Sequence, residues 1–414
     1  MTRHVVVIGA GIVGVSTAIW LRRAGADVTL VDRAKPGTGT SHGNAGVLAA
    51  CSMVPVTAPG LARKAPGMLL DRDFPLFLRW SYLPRLLPWL RRYMSNANDA
   101  DTRRIAKGLI PIVSDSVEQH KSLCAELGLG DWVTESDYCF AYHDRAAFDA
   151  ERYTWALRSD AGFVPEIIEG GAVHEYEPSF GPDITFVACM KEHGFIRDPG
   201  GYVQALAKAF TERGGKIIQA DVEDFDLSGG SVKGVHTTQG TMACDDVVLA
   251  TGVWSKPLMQ KLGLNVPLEA ERGYHIVFEG ASGGPSRPFM IASGKFVATP
   301  MAQGLRCAGI VEFGGLDAGP SKAPLDLLRR QVKRTFPQLT ASNEIEWLGH
   351  RPAPSDSLPV IGEVGQSRVF TAFGHHHIGL TGGPKTGRLV AGLITGQPTN
   401  TDLTAYHPQR FGAA

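Results

Sequence analysis

A mixed α/β chain is predicted, with a parallel sheet wound with helices and a separate antiparallel sheet, and three observations predict it. Residues 4–9 (HVVVIG) form a short, almost fully apolar run, as in a strand buried on both faces of a parallel sheet. They lead into Gly9-Ala10-Gly11-Ile12-Val13-Gly14, then a helical stretch over 13–24 that stops at Gly25, and a second strand over 27–32 (DVTLVD). Further along, residues 132–142 and 184–190 read as strands of an antiparallel sheet, and 222–227, 231–237 and 246–250 as a meander.

The opening segment is a complete β-α-β unit carrying G-x-G-x-x-G, the Rossmann-like arrangement. Gly9 permits the tight turn, Gly11 lets backbone approach a pyrophosphate, and Gly14 lets helix and strand pack closely. The helix N-terminus offers free N–H groups and partial positive charge to that pyrophosphate. Asp32, 18 residues past Gly14, is placed to accept hydrogen bonds from ribose hydroxyls, and its charge disfavours a 2′-phosphate. The chain therefore binds a dinucleotide, FAD or NAD.

At 414 residues, two domains are expected. Lys and Arg (41) balance Asp and Glu (41), which gives no electrostatic case for nucleic acid. The first residues form a strand and not a basic, apolar signal segment, and no 18-residue apolar run occurs. The six cysteines lack C-x-x-C spacing and read as buried free thiols in a reducing compartment, so a cytoplasmic location is expected.

Residues 35–50 are small and polar before an apolar run: either a surface loop or a second glycine-rich strip beside the dinucleotide. Residues 53–98 change character, with Arg79, Arg85, Arg91 and Arg92 interleaved with Trp80, Tyr82 and Trp89. Pro75, Pro84 and Pro88 break any single amphipathic helix, which favours aromatics in a core over a peripheral membrane contact through 76–94, and that contact stays open. Residues 103–127 have helical periodicity, and 202–213 form another helix before a strand over 216–221. The strand at 246–250 delivers Thr251-Gly252-Val253-Trp254-Ser255, a turn suited to bringing bare backbone against a flat ligand. Strand-like pieces at 274–279, 289–291, 295–300 and 305–309 predict a sheet in a second domain, and 325–336 an amphipathic helix with a solvated charged face. After a turn-rich stretch, 347–362, and a strand, 369–374, a glycine-rich loop opens a closing helix over 385–395, another site for an anion or carbonyl. Consecutive His375, His376 and His377 point in different directions and have no carboxylate or cysteine at ligand spacing, so no metal is expected.

In this order the pieces resemble the D-amino-acid oxidase superfamily of FAD-dependent oxidoreductases, and within it the bacterial D-amino-acid dehydrogenase branch. The motifs that carry the resemblance are the opening β-α-β, Thr40-Ser41-x-x-Asn44-Ala45-Gly46, Ala250-Thr251-Gly252-x-Trp254-Ser255, Gly349-x-Arg351-Pro352, residues 356–362 (D-x-x-P-x-I-G) and Gly374-His375 through Gly379-Leu380-Thr381. The resemblance implies a discontinuous FAD domain (1–50, 196–265, 345–414) interleaved with an antiparallel-sheet substrate domain (51–195, 266–344). It implies an FAD-binding set of Gly9, Gly11, Gly14, Asp32, Arg33, Ser41, Asn44, Ala45, Gly46, Val222, Thr251, Gly252, Trp254, Gly374, His375, Gly379, Leu380 and Thr381. Many relatives have Glu at the ribose position, where this chain has the shorter Asp32. Arg351 matches the arginine that clamps the substrate carboxylate, a task suited to a bidentate fork. Tyr274 and Arg272 fall in a strand that faces substrate in relatives, and His376 joins Arg351 and Tyr274 as a catalytic candidate.

The implied reaction is oxidative deamination of a D-amino acid, hydride passing from Cα to flavin N5 and electrons going on to a quinone or other carrier. Small or cyclic D-amino acids (D-alanine, D-proline, D-hydroxyproline) are the implied substrates, and the inner membrane an implied peripheral location. Two alternatives stand beside it: a glycine, sarcosine or D-amino-acid oxidase using oxygen, and the flavin subunit of a multi-protein dehydrogenase docking through 76–94. An NAD-dependent dehydrogenase is separated from all of these by the colour of the purified protein.

Overall fold

A computed structural model describes residues 2–412. The opening strand, His4–Ile8, lies inside a six-stranded sheet. Asp246–Leu249 and Asp27–Asp32 flank it in parallel, with Val369–Phe373 and Lys216–Gln219 beyond them, and Val360–Glu363 closes one edge antiparallel. Alternation explains why its run is continuously apolar. Val5 and Val7 enter the core shared with the first helix, Ile12–Arg23, while Val6 and Ile8 enter a core on the opposite face.

The closing helix, Gly379–Thr395, packs on the first helix at backbone distance. A methyl group on Gly387 would stand 2.7 Å from the Ser16 carbonyl carbon and the Thr17 nitrogen. The closing helix begins earlier than the expected 385, because Gly382 and Gly383 are packing glycines rather than loop residues: a Cβ on Gly382 would stand 2.5 Å from Ile112 Cγ2. The N-termini of both helices thus open toward one crevice.

The second sheet has ten strands, mostly antiparallel. Its central hairpins involve Leu268–Glu279, Gly304–Phe313 and Phe296–Met301, and helix Lys322–Thr335 covers one face with Leu325, Leu328 and Val332. The stretch read as turn-rich from 347 begins inside a twelve-residue strand, Asn343–Pro354, that pairs along Leu268–Glu279. Its prolines are tolerated because it is the edge strand of this sheet.

Two further expectations are corrected. The single helix over 103–127 is two, Asp99–Val113 and Ser116–Ala125, and at the break Asp115 pairs with Lys385 of the closing helix at 2.5 Å. These helices were expected on the substrate side, within 51–195, yet their apolar faces (Ile105, Leu109, Ile112, Val117, Leu123) enter the core of the six-stranded sheet. Within 53–98, helix Leu83–Ser95 buries Leu86, Trp89 and Tyr93, and Trp89 Nε1 donates to the Ala353 carbonyl at 2.9 Å. Trp80 is instead 64% exposed. Among the described residues no helix is long and apolar enough to cross a membrane, and all six cysteines are free and buried.

Candidate active site

A cavity of about 1520 Å³ runs between the two sheets, larger than a site for one small ligand. At one end its wall is backbone. Gly9 has φ +106°, and a Cβ there would stand 2.5 Å from the Ala250 oxygen. Gly11 precedes the first helix with no side-chain cap of its own. The cap comes from Ser41, whose Oγ accepts the Ile12 N–H at 3.0 Å, leaving the hydroxyl proton free to donate to an anion. Asp32 accepts the Ala10 N–H at 2.6 Å and the Ala34 N–H at 2.8 Å, which fixes its carboxylate at the end of the second strand. Arg33 stacks over Trp254 at 4.2 Å.

The strip from 41 to 46 is held from behind. Arg306, almost fully buried, donates to the carbonyls of His42 (2.8 Å) and Asn44 (2.7 Å), and Asn44 Oδ1 accepts the Gly46 N–H. Burial pushes the Arg306 guanidinium down to about 10. On the far side, the Thr381 hydroxyl donates to the Val47 carbonyl, and His375 Nε2 lies 2.9 Å from Thr386 Oγ1. Burial lowers His375 to about 4, so it is neutral at pH 7. A helix N-terminus capped only by the Ser41 hydroxyl, turns in which a Cβ would collide and a carboxylate at a strand end fit a dinucleotide.

Of the cofactor-binding residues expected from sequence, all line this cavity except Gly14 and Gly46. Gly14 sits behind the wall, where a Cβ would stand 1.8 Å from the Gly9 oxygen, and Gly46 (φ +80°) backs onto the Ile196 carbonyl.

The other end is made of side chains. Arg351 stands across from Glu271 in the strand pairing, and its guanidinium lies over the bare backbone of Gly273, where a Cβ would come within 2.9 Å of Cζ. Arg351 lines the cavity, and among the described residues it has no hydrogen-bond acceptor and no carboxylate within 4.0 Å. Burial lowers its pKa, with the Glu271 charge opposing. Trp347 lies against Gly43 and Gly349, where any Cβ would overlap its ring, and stacks on His275 at 5.0 Å.

Beside Arg351, Glu271 Oε1 lies 2.8 Å from His376 Nε2, both groups about 7% exposed or less. Burial by itself raises the Glu271 carboxyl, but His376, Arg351 and His377 outweigh it and the net shift is downward. His376 Nδ1 lies 2.8 Å from His377 Nδ1. His377 presents surface to the cavity while enclosed by protein, and burial, followed by the charges of His376 and Arg351, lowers it to about 3.

Tyr274 borders the cavity, but its hydroxyl is turned into a buried network, donating to Glu312 Oε2 at 2.6 Å and accepting the Ser321 N–H at 3.0 Å. Arg272, fully buried, pairs with the same carboxylate at 2.8 Å and does not line the cavity. Of the two residues expected to face substrate from this strand, Tyr274 borders the cavity and Arg272 does not, and Glu271 and Gly273, which alternate with Arg272, line it as well. Glu271 was missed in the sequence. Its only signal was that alternation, and every residue from 268 to 278 is buried, so the strand shows no polar face to set the phase.

A family model described as FAD dependent oxidoreductase matches residues 4–393. The chain is 39% identical to a D-amino-acid oxidase of Bradyrhizobium diazoefficiens over 99% of both chains. It is 32% identical to D-amino acid dehydrogenase 2 of Pseudomonas aeruginosa, again over 99% of both. Among solved structures, glycine oxidase from Geobacillus kaustophilus superimposes with a TM-score of 0.77 over 99% of each chain at 20% identity, a likeness of fold.

Proposed function

This chain belongs to the FAD-dependent oxidoreductase family, and from that premise we propose that it dehydrogenates a D-amino acid and passes the electrons to a quinone or similar carrier. It is an FAD-dependent enzyme of amino-acid oxidation. FAD supplies a two-electron acceptor for hydride from the substrate Cα. Gly9, Gly11, Asp32 and Ser41 would hold its ADP half, and the strips 41–46 and 374–381 its flavin half.

One observation carries the reading: Arg351 is a charged fork in a deep, largely apolar cavity with no hydrogen-bond or ion-pair partner among the described residues. An unpaired guanidinium there is costly unless an anion arrives, and a carboxylate matches its geometry in two parallel bonds. Arg351 then fixes the substrate carboxylate, the aromatic wall around Trp347 excludes water, and the α-hydrogen is presented by orientation. The D configuration rests on the names of the relatives.

The carrier reading draws on the roof of the cavity. Helix Leu61–Leu70 has no fully buried residue, lines the cavity with Leu61, Ala65, Met68 and Leu69, and is followed by the exposed Trp80 and Leu87 among Arg85, Arg91 and Arg92. An apolar electron carrier or a membrane surface suits this mixture. Oxygen as acceptor is the second reading, favoured by the oxidase name of the 39% identical relative. The test is anaerobic titration of the yellow holoenzyme with D- and L-amino acids. Bleaching by D-amino acids, then fast recovery with a quinone and slow recovery in air, is expected. Fast recovery in air moves the chain to the oxidases, and absence of bleaching ends the amino-acid reading.

A further inference from the structure

The amino group is the part of an amino acid left unserved so far. An ammonium has no lone pair to support loss of hydride from Cα, so a proton must leave nitrogen before or during oxidation. Within the described residues, three linked titratable groups border the cavity beside Arg351: His377, His376 and Glu271. Resting on the amino-acid reading above, we propose that His377 is the base that takes the substrate ammonium proton, with His376 and Glu271 as the relay that holds it.

The tautomers follow from the distances. Glu271 is an acceptor only, and its Oε1 lies 2.8 Å from His376 Nε2 in an ion-pair contact whose N–H is not aligned as a hydrogen bond, so it is the carboxylate charge that favours a proton on Nε2. A neutral His376 then has an acceptor at Nδ1, and His377 Nδ1, at 2.8 Å, must be the donor. His377 Nε2 is left with its lone pair, on a ring that lines the cavity beside Arg351. His376 is held with φ +50°, a backbone conformation that non-glycine residues adopt rarely, as expected where a loop is strained to aim two side chains.

The proton step balances without any other reagent. An N–H bond of the ammonium breaks and its proton bonds to His377 Nε2, while the Nδ1 proton of His377 passes to His376 Nδ1. The amine keeps the electron pair, and the new imidazolium of His376 faces the Glu271 carboxylate. The groups that set the basicity of His377 are His376 on its own loop, with Arg351 and Glu271 from the two paired strands. Burial and the Arg351 charge keep free His377 neutral across the working pH range but make it a weak base until substrate binds. A substrate carboxylate on Arg351 cancels one of those charges and raises the affinity of His377 for a proton. The substrate thus switches on the base by the same contact that anchors it.

The test is the pH dependence of kcat/KM for a D-amino acid, with benzoate binding, read from the flavin band, as the control. Wild type is expected to stay level from about pH 6 to 9. In H377Q, kcat/KM should fall about tenfold per pH unit below the amine pKa, with a loss of ~10²-fold at pH 7, and benzoate should bind as in wild type. E271Q should show a smaller loss with the same slope. Wild-type kcat/KM that itself climbs tenfold per unit toward the amine pKa overturns the relay without any variant. A H377Q profile that superimposes on wild type overturns it too. Wild type that no amino acid reduces overturns the function and the relay together, so the two failures are told apart.

Discussion

The two ends of the cavity are built from different material. The dinucleotide end is backbone: Gly9 in a left-handed turn, a helix start capped by Ser41, and Asp32 spending its oxygens on two N–H groups. The amino-acid end is side chain: Arg351 over Gly273, Trp347 between two glycines, and a carboxylate with two histidines. Backbone geometry tolerates almost no substitution but serves any ligand with a pyrophosphate. Side chains on a sheet are easily exchanged, so specificity is written there.

That contrast predicts that changes at the side-chain end cost activity and not fold, and the reverse at the other end. The largest effect is expected for Arg351→Ala, roughly 10³-fold in kcat/KM through lost carboxylate bonds, with thermal stability equal to or above wild type. Steady-state kinetics beside a melting curve checks both halves; a lower Tm would blur the contrast. Next, Gly9→Ala should destabilise by roughly 2–4 kcal/mol and lose FAD, because φ +106° and the Ala250 oxygen both oppose a methyl group. Its flavin content and urea midpoint are the readouts.

Acid should act on the fold through buried histidines. His120, hydrogen-bonded to Tyr202 and the Leu380 carbonyl, and His375 are each lowered by burial to about 4. A depressed histidine gives stability that is full above the ordinary value of 6.5 and lost as pH falls toward 4, about 1.4 kcal/mol per pH unit for each group inside that window. Urea midpoints from pH 7 to 4 should show that slope, flattened in His120→Gln. Asp32→Asn should weaken FAD binding about tenfold with little change in turnover at saturating FAD, measured by cofactor titration of apoprotein. Smallest of all, Leu87→Ser on the exposed roof should shift stability by less than about 0.5 kcal/mol; a selective loss of quinone-linked over dye-linked turnover would mark that surface as the carrier's approach.

The backbone end was legible in the sequence; the side-chain end was legible only at Arg351 and His376, and only through the family resemblance. A turn that only glycine can make, followed by a helix and then an acid at a strand end, leaves a local signature within thirty residues, and that unit forms as read; the strand Asp246–Leu249, read as part of a meander, instead joins its sheet in parallel. The pairing of Glu271 with His376 joins a strand to a loop far along the chain, and nothing local announces it. Where both faces of a strand are buried, period-two reading gives two phases and no means of choosing, so only the resemblance pointed into this strand, and it named Tyr274 and Arg272 rather than Glu271. The glycines at 382 and 383 misled for a related reason, since a glycine that admits a neighbouring helix looks the same in sequence as one that ends a loop.

The strand His4–Ile8 lies beside Asp246–Leu249, which in turn lies beside Val369–Phe373, and the first helix is sealed by Gly387 of the last. During synthesis, then, the residues that cradle the dinucleotide emerge more than 200 residues before Asp246–Leu249 and further still before Val369–Phe373 and Gly387, so they wait for these neighbours. Until then the apolar first strand has one edge unpaired, the other being covered by Asp27–Asp32, a state open to aggregation. Expression yield should therefore depend on chaperones and growth temperature more than the stability of the finished enzyme would suggest, and trimming the end of the closing helix should loosen the first helix and the Gly9 turn before it.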